Sequence, residues 1–137
     1  MMKELILSNL DVSRIRKAID NAVRQKRIRS EEVSNLLTEL SKAKVVAPEE
    51  IPGDVVTMNS IVSVSFLNTN KSIQIQLVYP DMANFRENKI SIFSPVATAL
   101  IGYKAGDEIE WIVPSGLTSI KIEKIIYQPE AAGDFDL

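Results

Sequence analysis

Near residue 50 the spacing of apolar side chains changes from three or four residues to two, and no single regular element can satisfy both periods. Before the change, Ile15, Ala18, Ile19, Ala22 and Val23 form a stripe within Asp11 to about Lys26, with Asp11 placed to cap the first amides of a helix. A second stripe, Val33, Leu36, Leu37, Leu40 and Ala43, follows Ser30 as N-cap, with Glu31 and Glu32 in the first turn where the helix dipole favours negative charge. The short basic link between them predicts an antiparallel helical hairpin, a short coiled coil. Each arm of roughly 15 residues would reach about 20 Å at about 1.5 Å per residue. Helices this short are marginal alone, so the stripes must bury one another. Val45 to Asp54, with Pro48, Pro52 and Gly53, suits a linker. The expected division is therefore a hairpin over residues 1–47 and a second domain over 48–137 that can fold alone.

After the linker, Val62, Val64 and Phe66 alternate with Ser63 and Ser65, and Ile73, Ile75, Leu77 and Tyr79 alternate with Gln74, Gln76 and Val78. The residues between, Asn68-Thr69-Asn70-Lys71, read as a hairpin turn. Further strands are predicted at Lys89 to Phe93, Glu108 to Val113 and Ser119 to Tyr127. A short helix is predicted from Pro95 to Ile101, ended by Gly102. The fold class is α+β: a helical hairpin followed by an antiparallel sheet whose apolar face one short helix covers.

The chain has neither cysteine nor histidine. That excludes disulfides, thiolate zinc sites, cysteine nucleophiles and the usual imidazole base. A net charge of -2 gives no general attraction to nucleic acid or anionic lipid, so such contacts need a local cluster. No run approaches the roughly 18 apolar residues of a spanning helix, and the expected setting is cytoplasmic, away from membranes.

Several linked motifs stand in fixed order: Val55-Val56-Thr57-Met58-Asn59-Ser60, Leu77-Val78-Tyr79-Pro80, Ile90-Ser91-Ile92-Phe93-Ser94-Pro95-Val96-Ala97, Ala99-Leu100-Ile101-Gly102, Gly106-Asp107-Glu108-Ile109, and the terminal run from Tyr127 to Leu137. In this order the chain resembles the GreA/GreB elongation-factor C-terminal-domain family, and within it the branch of regulators of nucleoside diphosphate kinase. The resemblance implies a C-terminal domain like that of FK506-binding proteins (FKBP-like). It also implies docking at the rim of the RNA polymerase secondary channel, with the hairpin pointing inward. In Gre cleavage factors, acidic residues near a longer hairpin's tip help hold a catalytic magnesium. Here the tip is Arg24-Gln25-Lys26-Arg27-Ile28-Arg29, whose cations cannot supply the hard oxygen ligands magnesium needs.

The resemblance places Phe93, Ser94 and Pro95 at the polymerase-facing surface, although Ser-Pro is also an ordinary way to start a helix. Arg24, Lys26, Arg27 and Arg29 can touch nucleotide or RNA phosphates, or simply form a solvated turn. Trp111 and Tyr127 read as core or rim residues, and the tail from Pro129 onward, with three acids and no base, reads first as a solvated end. No catalytic group, metal site or cofactor is assigned to the chain. The expectation is a monomeric, non-enzymatic transcription regulator that binds RNA polymerase and competes with Gre-type factors without stimulating cleavage. The alternatives are a Gre-like cleavage factor, an FKBP-like peptidyl-prolyl isomerase, and a direct regulator of nucleoside diphosphate kinase.

Overall fold

The computed structural model describes residues 5–29, 33–67, 69–113 and 116–134. Two helices, α1 (Asn9–Arg24) and α2 (Ser34–Lys42), are flanked by two strands the hydrophobic periods did not announce, β1 (Ile6–Ser8) and β2 (Lys44–Val46). Three residues are too few for an alternation to register. Yet β1 and β2 pair in parallel, Ile6 opposite Lys44 and Ser8 opposite Val46, so the expected linker begins as a strand. Parallel neighbours need a long crossover, and here both helices form it. The start of α1 and the end of α2 are thereby tied to one small clasp.

Helix α1 starts three residues earlier than a cap at Asp11 would place it. Its N-cap is Ser8, whose Oγ accepts from the Asp11 N–H at 3.0 Å, so Asp11 is not the cap and is left for another partner. Ile15, Ile19 and Ala22 are buried, whereas Val23 is exposed near the far end. On α2, Leu36 and Leu40 are buried and Leu37 is half-buried. Ser30, Glu31 and Glu32, expected to begin that helix, lie outside the described residues.

The second half is a curled five-stranded sheet in the order β5-β4-β3-β7-β6. Its strands are β3 (Ile61–Phe66), β4 (Lys71–Val78), β5 (Lys89–Ser91), β6 (Glu108–Val113) and β7 (Gly116–Tyr127). All pairings are antiparallel except β4 with β5, so the sheet is mixed rather than wholly antiparallel. Strand β7 carries Ile120, Lys121, Ile122, Glu123, Lys124 and Ile125, a sequence in which strict alternation would send Lys124 into the core. Instead Val64 faces Ile122, Ser63 faces Lys124 and Val62 faces Ile125, with a register shift that takes up the extra residue. The bulge resets the alternation and adds to the sheet's twist.

Helix α3 (Pro95–Leu100) ends at Gly102, whose φ of +83° favours a residue without Cβ. Gly102 also joins the two halves: its carbonyl accepts from Ile6 N–H at 3.2 Å and its N–H donates to Val56 O at 2.8 Å. A Cβ there would lie 3.2 Å from Leu5 Cδ2 and 3.3 Å from Leu5 Cβ. Gly102→Ala should therefore lower stability by about 1–2 kcal/mol, read from the urea midpoint, with no change in midpoint contradicting this account.

One buried cluster runs across the expected boundary at residue 48. It joins Leu7, Ile15, Ile19, Val33, Leu36 and Leu40 to Val56, Met58, Val62, Val64, Ile75, Leu77, Ile92, Leu100, Ile101, Ile120 and Ile122. The change of period marks a change of element type within a continuous core. The side chain of Trp111 lies outside the description.

Candidate functional site

Three features could meet a partner, and the first is the turn from β5 into α3. Ser94 Oγ accepts from Ala97 N–H at 3.3 Å, and Pro95 occupies the first helical position, so the sequence builds a well-started helix. The turn is held from both sides. Ser91 Oγ accepts from Phe93 N–H at 3.1 Å, Ser94 N–H donates to Ser91 O at 2.9 Å, and Thr98 Oγ1 donates to Ile92 O at 3.1 Å. Ile92 is fully buried beneath, and half-buried Phe93 packs on the core while keeping part of its ring in solvent.

The second feature is the far end of α1. Arg27 N–H donates to Ala22 O at 2.9 Å and Lys26 N–H to Val23 O at 3.1 Å, the two bonds of a Schellman ending. Lys26 takes the left-handed position, φ 58°, that glycine usually fills. Without that glycine no local stop signal marks the end of α1, and apolar spacing alone carries the helix on to Lys26. The side chains of Arg24, Lys26, Arg27 and Arg29 are all exposed. A helix of 16 residues puts this cationic end about 24 Å from the clasp.

The third feature, a polar junction at the base of α1, was not identified in the sequence. Met58 N–H donates to Asp11 Oδ2 at 3.1 Å, linking α1 to residues 55–60, which lie almost wholly buried. Burial is the main force on the Asp11 carboxyl and raises its pKa from 3.8 to about 7. The Met58 N–H opposes this, Glu130 adds to it, and Arg14 opposes it more weakly. Tyr79 lies beside this group, and burial, then the Asp11 charge, pushes its phenol above the usual range.

The tail, expected first as a solvated end, is held at the junction from Gln128 to Glu130, while residues 131–134 are exposed. Gln128 is buried and caps α4 (Pro129–Ala132), accepting from Ala131 N–H at 3.1 Å. Its Nε2 donates to Pro52 O at 2.8 Å and Val55 O at 2.7 Å. Thr57 N–H donates to Ser60 Oγ at 3.0 Å, and Thr57 Oγ1 lies 2.8 Å from Ser60 Oγ and donates to Glu130 Oε1 at 2.8 Å. Tyr127, half-buried as expected of a rim residue, donates its hydroxyl to Asp134. A shallow depression lined by Ser8, Asp11, Arg14, Pro48, Glu130 and Asp134 remains between tail and helix. The available signal was the Gln-Pro-Glu run, a helix start like Ser-Pro. Among the described residues no group of three acids is placed to hold a metal ion, and no helix is long and apolar enough to cross a membrane.

This arrangement of a helical arm, a curled sheet and a capped strand-to-helix turn has known counterparts. Residues 51–127 match the family described as transcription elongation factor, GreA/GreB, C-terminal. The chain is 37% identical over 133 residues to the regulator of nucleoside diphosphate kinase of Escherichia coli K12, covering 96% of this chain and 95% of that one. It is also 37% identical over 97 residues to the elongation factor GreA of a Psychrobacter species, covering 70% of this chain and 61% of that protein. A solved GreA/GreB elongation factor from Nitrosomonas europaea superposes with a TM-score of 0.70 at 35% identity, over 92% of this chain and all of that one. The chain belongs to the GreA/GreB transcription elongation factor family. Its mixed α+β architecture is that of its structural relatives, and a transcription-factor-like role follows from the membership.

Proposed function

We propose that the protein is a non-enzymatic, monomeric, cytoplasmic regulator that docks at the secondary channel of RNA polymerase. In this reading residues 48–137 form an FKBP-like docking domain, and residues 1–47 form an antiparallel hairpin that enters the channel. Phe93, Ser94 and Pro95 make the docking contact, and Arg24, Lys26, Arg27 and Arg29 face the phosphates of nucleotide or RNA. The observation that carries the reading is a cluster of four exposed cations, Arg24, Lys26, Arg27 and Arg29, at the far end of α1 on a chain of the elongation-factor family. Occupancy and chemistry then separate. The body supplies binding, while cleavage would need carboxylate oxygens delivered to the polymerase magnesium, and a guanidinium or ammonium group repels that metal.

The test uses stalled, backtracked elongation complexes with saturating protein and magnesium. The protein should displace a Gre factor and leave the transcript's 3′ end intact, and strong cleavage by the unaltered chain would replace the competitor reading with that of a cleavage factor. Phe93→Ala combined with Ser94→Arg should weaken polymerase binding by about tenfold or more while the circular-dichroism spectrum stays unchanged. Placing acids at Lys26 and Arg29 should yield some cleavage if charge alone is missing, and none if the arm is too short.

A further inference from the structure

The loop between β4 and β5 holds the least buried large apolar side chain described: Phe85 is 92% exposed, and Met82 nearby is 57% exposed. Exposed loops with such residues are usually free to fold them back. This one is not, because hydrogen bonds fix it on every side. Asn84 N–H donates to Lys89 O at 2.9 Å, and Lys89 N–H donates to Asn84 O at 3.0 Å. Asn84 Oδ1 accepts from Arg86 N–H at 3.1 Å, starting the single turn that carries Phe85. Asn88 ends that turn at φ 57°, and its carbonyl accepts from Gln76 N–H of β4 at 2.9 Å. Lys89 Nζ lies 3.1 Å from Glu87 Oε2. An aromatic ring held out into water by a braced loop gives the fold nothing and is preorganised for a partner.

We propose that Phe85, assisted by Met82, is a second anchor that enters an apolar pocket on the same polymerase surface contacted by Phe93 and Ser94. The proposal rests on the function proposed above. Continuity supports the shared partner: Asn84 and Lys89 face each other across a bridge, and β5 runs from Lys89 towards Phe93. Five extended residues span at most about 17 Å, and a typical protein interface of about 800 Å² per side is roughly 30 Å across. Both anchors therefore fit one footprint. The loop's charges, Asp81, Arg86, Glu87 and Lys89, cancel, which suits an apolar protein pocket and gives no attraction to an anionic lipid surface.

The experiment titrates core RNA polymerase with the full chain, with Phe85→Ser, with Phe85→Leu and with the Phe93→Ala/Ser94→Arg variant, and measures each chain's oligomeric state and melting temperature. Phe85→Ser should lose about 30-fold in affinity without a lower melting temperature, and Phe85→Leu should recover most of it. Full affinity of Phe85→Ser alongside weakened Phe93→Ala/Ser94→Arg overturns the second anchor and leaves the docking site intact. If the unaltered chain binds no polymerase, the functional reading itself fails, and this anchor with it. A chain that self-associates only when Phe85 is present, with polymerase affinity unchanged, would make the occupant a second copy and overturn the proposal.

Discussion

Replacing Asp11 with Asn should remove a pH dependence of stability worth roughly 2–3 kcal/mol between pH 5 and pH 8. In the folded chain the carboxyl keeps its proton up to about pH 7, whereas an ordinary carboxyl releases it near 3.8. Between those values the folded state binds more protons than the unfolded one, so raising the pH costs stability. The contribution is fully present below 3.8 and is lost as the pH climbs through 7. Arg14 opposes the loss and Glu130 adds to it, but burial dominates both. Asn retains a carbonyl oxygen for the Met58 N–H and has no proton to lose. Urea unfolding of both chains across this range should show the unaltered protein gaining on the variant as the pH falls. Parallel curves would mean that Asp11 titrates in the fold much as it does in the unfolded chain.

Leu36→Ala should cost about 3 kcal/mol and lower the melting temperature by about 10 °C, since Leu36 is fully buried and belongs to a core cluster that spans both halves of the chain. More telling is the form of the transition. A core that joins Ile15 and Leu36 to Met58 and Leu100 should unfold as one unit, so the helical circular-dichroism signal and the protection of β3 amides should disappear together in the variant as in the parent. Helical signal that melts well below the sheet would assign the arm a separate stability.

The elements legible in the sequence were those long enough to repeat a period. Val62 and Val64 of β3 and Ile75 and Leu77 of β4 are buried where alternation put them, but Ile73 is exposed and Val78 buried against it, and the stripe of α1 lies where three- and four-residue spacing put it, Val23 excepted. The misses have physical causes. Strands β1 and β2 are three residues each and are defined by each other. The end of α1 uses a lysine where the usual signal is glycine. The β7 bulge lies where apolar spacing lapses, and only pairing with β3 shows which residue is skipped. Asp11 looked like a cap because it precedes an apolar stripe, but Ser8 fills that role and frees the carboxylate for Met58, 47 positions away. For the candidate site, Ser94 and Pro95 were readable because capping is local. The tail's place against Thr57 was not, because Gln128 and Glu130 act over more than 70 positions.

The clasp between β1 and β2 has a consequence for how such an arm can vary. Both helices leave and return at one pair of strands, so in topological terms the arm is an insertion between Ser8 and Lys44. Adding seven residues to each helix would keep the apolar stripes in phase to within about 20° and move the tip outward by about 10 Å. The residues at the foot, Asp11 and Met58 among them, would keep their places. Reach is therefore a separable variable in this architecture, adjustable in steps of two helical turns while the body that carries it stays the same.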